Sequence, residues 1–137
     1  QRPLSVLCVL GVKKIFMTTI QQISLYVMAF LYAGAGVNHF VNPKFYLGIM
    51  PKFFPMPHLL NQVSGIAEII LAIGLLFAST RQISAYLIIA MLILFFAVHI
   101  PHLFDPPKMA KGKEWFLYVR IALQFVLIYW AWLVSKY

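Results

Sequence analysis

Residues 82–100 read QISAYLIIAMLILFFAVHI, nineteen positions without an Asp, Glu, Lys or Arg. At 1.5 Å per residue a helix of this length covers roughly 28 Å, close to the thickness of a bilayer's hydrocarbon core. Working outward, three further apolar runs of similar size lie at about 19–40, 59–78 and 115–134. Together they use nearly all of the 137 residues, of which 63% are hydrophobic and 10% charged. An ordinary soluble domain carries about a quarter charged residues and could not hide so much apolar surface. The expected fold is therefore all-α, an integral membrane bundle of four transmembrane helices.

The connections set its topology. Only Ser79-Thr80-Arg81 separates the second span from the third, which makes the two antiparallel neighbours. The first span stops at Asn42-Pro43, because proline cannot continue a helix and disfavours helical geometry in the residue before it. From Lys44 to His58 the prolines at 51, 55 and 57 and the aromatics Tyr46, Phe53 and Phe54 predict an irregular, interfacial segment rather than a regular helix. Pro101 ends or kinks the third span, and a basic loop with Lys108, Lys111 and Lys113 leads into the fourth. Trp115, Tyr129, Trp130, Trp132 and Tyr137 near the ends of that span read as an aromatic belt.

One domain, 17–137, is expected. Met17-Thr18-Thr19-Ile20 reads as a natural start, so residues 1–16 are expected to be an extension, non-native or disordered. Four spans put both termini and the Arg81 turn on one side (A) and the loops 41–58 and 101–114 on the other (B). Lys44, Lys52, Lys108, Lys111 and Lys113 favour side B as cytoplasmic, with both termini outside the cytoplasm, once Arg2, Lys13 and Lys14 of the extension are set aside.

Several function classes fall away. The net charge of +8 sits mostly in loops and at span ends, where lipid headgroups are the expected neighbours and nucleic acid is not. A single cysteine, Cys8, allows no intrachain disulfide or CxxC redox pair. With three acidic residues and no nucleophile elbow, phosphate-binding glycine loop or HExxH pattern, soluble-enzyme chemistry has no support.

Each span nevertheless carries a polar group that is costly in lipid: His39, Glu68, His99 and Arg120. Helical rise places Glu68 about 14 Å and Arg120 about 8 Å inside side B, with His39 and His99 nearer its surface. Groups at such depth should face the bundle interior and pair, and Glu68 with Arg120 is the expected pair. Asn61, Gly65, Glu68 and Ala72 recur at helical intervals on the second span, as do Tyr32, Gly36 and His39 on the first; Gln124 lies four residues beyond Arg120. Ala33, Gly34, Ala35, Gly36 and Gly65 are expected to be packing residues that let helices approach closely. The polar set has two readings of equal standing: a pocket for a small polar head such as a quinone, or a proton relay, against an ion-pair network that only fixes helix register. His39, His99 and His102 also raise haem or metal ligation, but nothing fixes a ligand geometry and no metal site is expected. His58 and His102 read more simply as interfacial loop histidines.

Asn38-His39-Phe40, Pro43, Tyr46, Met50-Pro51, Phe54-Pro55-Met56-Pro57, Ser64-Gly65, Glu68-Ile69 and Gly74-Leu75-Leu76, followed by Arg120, Gln124, Tyr129 and Trp130, resemble the DoxX-like family of small membrane proteins. The resemblance spans residues 19–134. It implies a four-helix fold in a diverse family, some members resembling small subunits of quinone-linked oxidoreductase systems and others assembly factors. It marks His39, Glu68, Arg120 and Gln124; at the end of the third span, where many relatives have Asn, this chain has His99.

The resulting expectation is an accessory or quinone-associated subunit of a membrane redox system in a bacterial inner membrane, with no independent catalytic activity. His39, Glu68, His99, Arg120 and Gln124 are its pocket or proton-exchange residues. Its partners would be the bilayer and other membrane subunits, or further copies of itself. The rival is a non-catalytic chaperone, assembly factor or structural subunit. A self-contained transporter is disfavoured, because four spans need oligomerisation to enclose a path and no inverted repeat is visible.

Overall fold

The computed structural model describes residues 17–137, and the expected extension lies outside the described residues. Helix α1 (Thr19–Val41) begins at a capping box: Thr18 Oγ1 accepts from the Gln21 amide at 3.2 Å while the Gln21 side chain accepts from the Thr18 amide at 3.0 Å. It is followed by α2 (Pro43–Ile49), α3 (Pro57–Leu76), α4 (Arg81–His99), α5 (Pro101–Phe104), a 3-10 turn at Lys108–Ala110, and α6 (Trp115–Val134).

Among the described residues four helices are long and apolar enough to cross a membrane: α1, α3, α6, and α4 continued by α5. The chain is an all-α, four-helix membrane protein. Its outward faces expose Ile23, Phe30, Ile70, Leu94 and Phe125 among many other large apolar side chains. Water would penalise a patch of that size, whereas lipid tails match it. The buried core is correspondingly slim, with Leu25, Met28, Leu75, Ala85, Ile88, Ala131 and Val134 meeting along the bundle axis.

Around that axis α1 packs on α3, α3 on α4 and α4 on α6, with a lighter contact between α6 and α1. Trp130 Nε1 donates to Ser24 Oγ at 2.7 Å and ties the end of α6 to the start of α1 on side A. The short α3–α4 turn is closed by side chains, Thr80 Oγ1 donating to the Gly74 carbonyl at 2.8 Å and Arg81 Nε to the Leu75 carbonyl at 3.0 Å. These satisfy carbonyls that the end of α3 leaves without intrahelical partners.

Two sequence expectations are corrected. The segment after Pro43 is not wholly irregular, because α2 forms over Pro43–Ile49; proline is tolerated in a first helical turn, and no further proline follows until Pro51. His102 is not an interfacial loop residue. The chain stays helical past Pro101, which carries His102 inward to 5% exposure.

Candidate functional site

The site starts from a backbone defect. In an uninterrupted helix the His39 carbonyl would accept from the amide of residue 43, but residue 43 is proline and has no N–H. Asn61 of α3 fills the gap, its Nδ2 donating to the His39 carbonyl at 3.0 Å. That orients the amide so that Asn61 Oδ1 faces His39 Nδ1 at 2.7 Å and accepts from it. With Nδ1 committed as the donor, Nε2 is the ring nitrogen free to gain or lose a proton. It faces Glu68, with Nε2 and Oε2 3.6 Å apart.

Glycines allow this approach. A Cβ on Gly36 would sit 2.7 Å from the Gly65 carbonyl oxygen, and one on Gly65 would sit 2.7 Å from His39 Cβ and 2.9 Å from the Gly36 carbonyl oxygen. The backbones of α1 and α3 therefore cross in near contact, one turn from both His39 and Glu68. Tyr46 of α2 closes the side-B end: its ring stacks on the imidazole with centroids 3.7 Å apart, and its hydroxyl accepts from Asn38 Nδ2 at 2.9 Å. His39, Asn61, Glu68 and Tyr32 are each at most 7% exposed. Among the described residues Glu68 Oε2 and the Tyr32 hydroxyl have no hydrogen-bond partner, although Tyr32 lies within electrostatic reach of Glu68.

Arg120 belongs to a different cluster, which corrects the expected Glu68–Arg120 pair. On the α4–α6 side His99 Nδ1 meets Gln124 Oε1, and Gln124 Nε2 donates to the Leu92 carbonyl. Arg120 and His102 lie within electrostatic reach of this contact. The five predicted residues thus fall into two groups, His39 with Glu68 on α1–α3, and His99, Gln124 and Arg120 on α4–α6. Asn61 and Tyr46 complete the first group. Asn61 lies on the expected polar stripe but not among the expected site residues; the interval of four from His39 to Pro43, with its stranded carbonyl, is the signal for such a partner.

Among the described residues the first group has the donors a quinone head would need, but no open slot beside them. The Tyr46 ring already lies where a flat ring stacking on His39 would go. A groove of about 260 Å³ runs along α1 and α3, but its walls, including Ala29, Phe30, Ala33 and Ala72, are apolar and it opens in the side-A half. As arranged, these residues do not hold a quinone. Among the described residues no three His, Cys, Asp or Glu side chains converge as metal ligands.

The family model described as Domain of unknown function (DUF8561) matches residues 28–135, well over half of the chain and all four of the polar spans' key residues. No curated protein and no solved structure matches.

Proposed function

The chain belongs to the family of the domain of unknown function DUF8561, and from its buried carboxylate–imidazole pair we propose that it is a small accessory subunit of a membrane redox system that exchanges one proton within the bilayer. The observation that carries this is Glu68 opposite His39 Nε2 in a span, with Asn61 holding the other ring nitrogen. Such a pair holds one proton in either of two arrangements, a neutral carboxyl beside a neutral imidazole or a carboxylate beside an imidazolium. Moving between them changes no net charge in the bilayer, so the cost of an isolated charge is avoided. Tyr32, whose hydroxyl has no other partner among the described residues, lies within electrostatic reach of Glu68 and is a hydrogen-bond donor for the carboxylate form.

Kinship with the DoxX-like proteins is part of the same proposal and rests on the His-Phe, proline-loop and Ser-Gly-x-x-Glu residues. So is the placement in a bacterial inner membrane with side B cytoplasmic, supported by Lys44, Lys52, Lys108, Lys111 and Lys113. No step is assigned to a quinone.

Infrared difference spectra of the purified protein, recorded across a pH series, test the proton site. The expected result is a carboxyl band that titrates together with imidazole bands and vanishes in Glu68→Gln while helix content is kept. A carboxyl band insensitive to pH, or a Glu68→Gln protein that no longer folds, would reduce the cluster to a structural ion pair. Mild native purification tests the subunit role: a stoichiometric partner bearing a redox group is expected, and one without any redox group would favour the assembly-factor reading.

A further inference from the structure

The α4–α6 cluster contains a cation that nothing among the described residues neutralises. Arg120 is half-buried, and among the described residues its guanidinium makes no ion pair or hydrogen bond. The three carboxylates are placed otherwise: Glu68 faces His39 on the other helix pair, Glu114 is exposed at the start of α6, and Asp105 is exposed near His102.

Register sets Arg120 level with His102. His99 touches Gln124, and α4 and α6 run antiparallel. Arg120, four residues before Gln124, and His102, three after His99, therefore both lie about one turn, roughly 5–6 Å, closer to side B. His102 is 5% exposed, and its Nδ1 has no partner among the described residues. Beyond them, at the rim, Lys108, Lys111 and Lys113 are exposed, as are the aromatic rings of Phe104 and Trp115. Exposed rings of this kind occupy the headgroup level of a bilayer.

We infer that this side-B face of α4, α5 and α6 binds the phosphate of an anionic phospholipid headgroup, with Arg120 as its anchor. A planar guanidinium presents two parallel N–H donors to phosphate oxygens, and lysines at the rim attract the headgroup over a longer range. The depth of Arg120, about 8 Å in from Trp115, is within reach of a side chain that lies along apolar surface and extends its head to the interface. A lipid phosphate there removes the cost of an unpaired cation, which none of the described residues does. The site is independent of the His39–Glu68 proton site.

Native mass spectrometry of the delipidated full chain, titrated with phosphatidylglycerol or with phosphatidylcholine of the same acyl chains, tests this. The wild type is expected to retain phosphatidylglycerol at least about tenfold better, a difference of about 1.4 kcal/mol. Arg120→Gln is expected to erase that preference, and Arg120→Lys to keep part of it. The double change Lys111→Gln with Lys113→Gln, at exposed positions that leave the bundle intact, is expected to weaken retention by a smaller factor. Millimolar inorganic phosphate is expected not to displace the lipid. Equal retention of the two lipids, an Arg120→Gln protein with unchanged preference, or displacement by inorganic phosphate would each overturn the inference, the last by making this a site for free phosphate. A co-purifying protein whose carboxylate cross-links at position 120 would also overturn it. Should Arg120→Gln fail to fold, the Arg120→Lys and double-lysine proteins decide.

Discussion

Gly34 and Gly65 both sit in spanning helices, yet alanine should have opposite effects at the two positions. At Gly34 an added Cβ meets nothing within 4 Å. Only the backbone preference changes there, and Ala gains about 0.8–1 kcal/mol over Gly within a helix. At Gly65 the same methyl would lie 2.7 Å from His39 Cβ and 2.9 Å from both the Gly36 carbonyl oxygen and Phe40 Cε2. Carbon atoms rest at about 3.5–4.0 Å, so α1 and α3 must part by roughly 0.8 Å or more. The first two obstacles are backbone or Cβ atoms and cannot rotate away. Separation by that amount stretches the 2.7 Å contact between His39 Nδ1 and Asn61 to about 3.5 Å, beyond a useful hydrogen bond. Overpacking costs about 1–3 kcal/mol, and the weakened interhelical bond costs about another 0.6–1.7 kcal/mol. Net of the gain in helix propensity, Gly65→Ala should destabilise by roughly 0.6–4 kcal/mol while Gly34→Ala stabilises by up to about 1 kcal/mol. Reversible unfolding in mixed micelles, or steric trapping in bicelles, measures both. Stabilities of the two variants within about 0.5 kcal/mol of each other would refute the close crossing of α1 and α3.

Trp130→Phe and Ser24→Ala each remove the 2.7 Å tie between α6 and α1; each should cost about 0.5–1.5 kcal/mol, and a double variant no worse than the poorer single one would identify their shared bond, whereas full additivity would deny it. Tyr46→Ala uncovers the imidazole on which that ring stacks; His39 should then be carbethoxylated by diethyl pyrocarbonate several-fold faster, and an unchanged rate would mean that Tyr46 does not shield it.

Depth along the membrane normal was legible in the sequence, whereas angular position around the bundle was not. Counting residues from Trp115 and Leu59 locates Arg120 and Glu68 on the axis, and the four apolar helices fall within a few residues of the expected limits. Two groups at compatible depths can still point into different helix interfaces. Glu68 turns toward α1 because Gly36 and Gly65 bring those two backbones together, while Arg120 follows Gln124 toward α4. Which pair of helices meets so closely depends on tertiary packing, since stripes of small residues serve many partners equally. A second role of proline accounts for α2 and His102: Pro43 and Pro101 do interrupt the preceding spans, which end at Val41 and His99, but each also opens a short helix, because proline fits a first helical turn.

The choice of partner for Glu68 bears on mechanism as well as architecture. Glu68 is the one carboxylate of the described spans that is buried, and Arg120 would have held it permanently ionised, because a guanidinium does not give up its proton in a protein. Such a pair fixes register but cannot move a proton. Opposite His39 the same carboxylate faces a base whose ordinary affinity for protons lies near neutrality, so the proposed exchange has a second group on which the proton can reside. The cost of that arrangement is an arginine left without a counter-charge, and it is met wherever an external anion can reach Arg120 from side B. Replacing Glu68 with Gln therefore separates the two clusters: proton exchange should be lost, while the preference for anionic lipid at Arg120 should remain within about twofold, roughly 0.4 kcal/mol. A Glu68→Gln protein whose lipid preference changed tenfold would mean that the carboxylate does sense Arg120, and the division into two independent sites would fail.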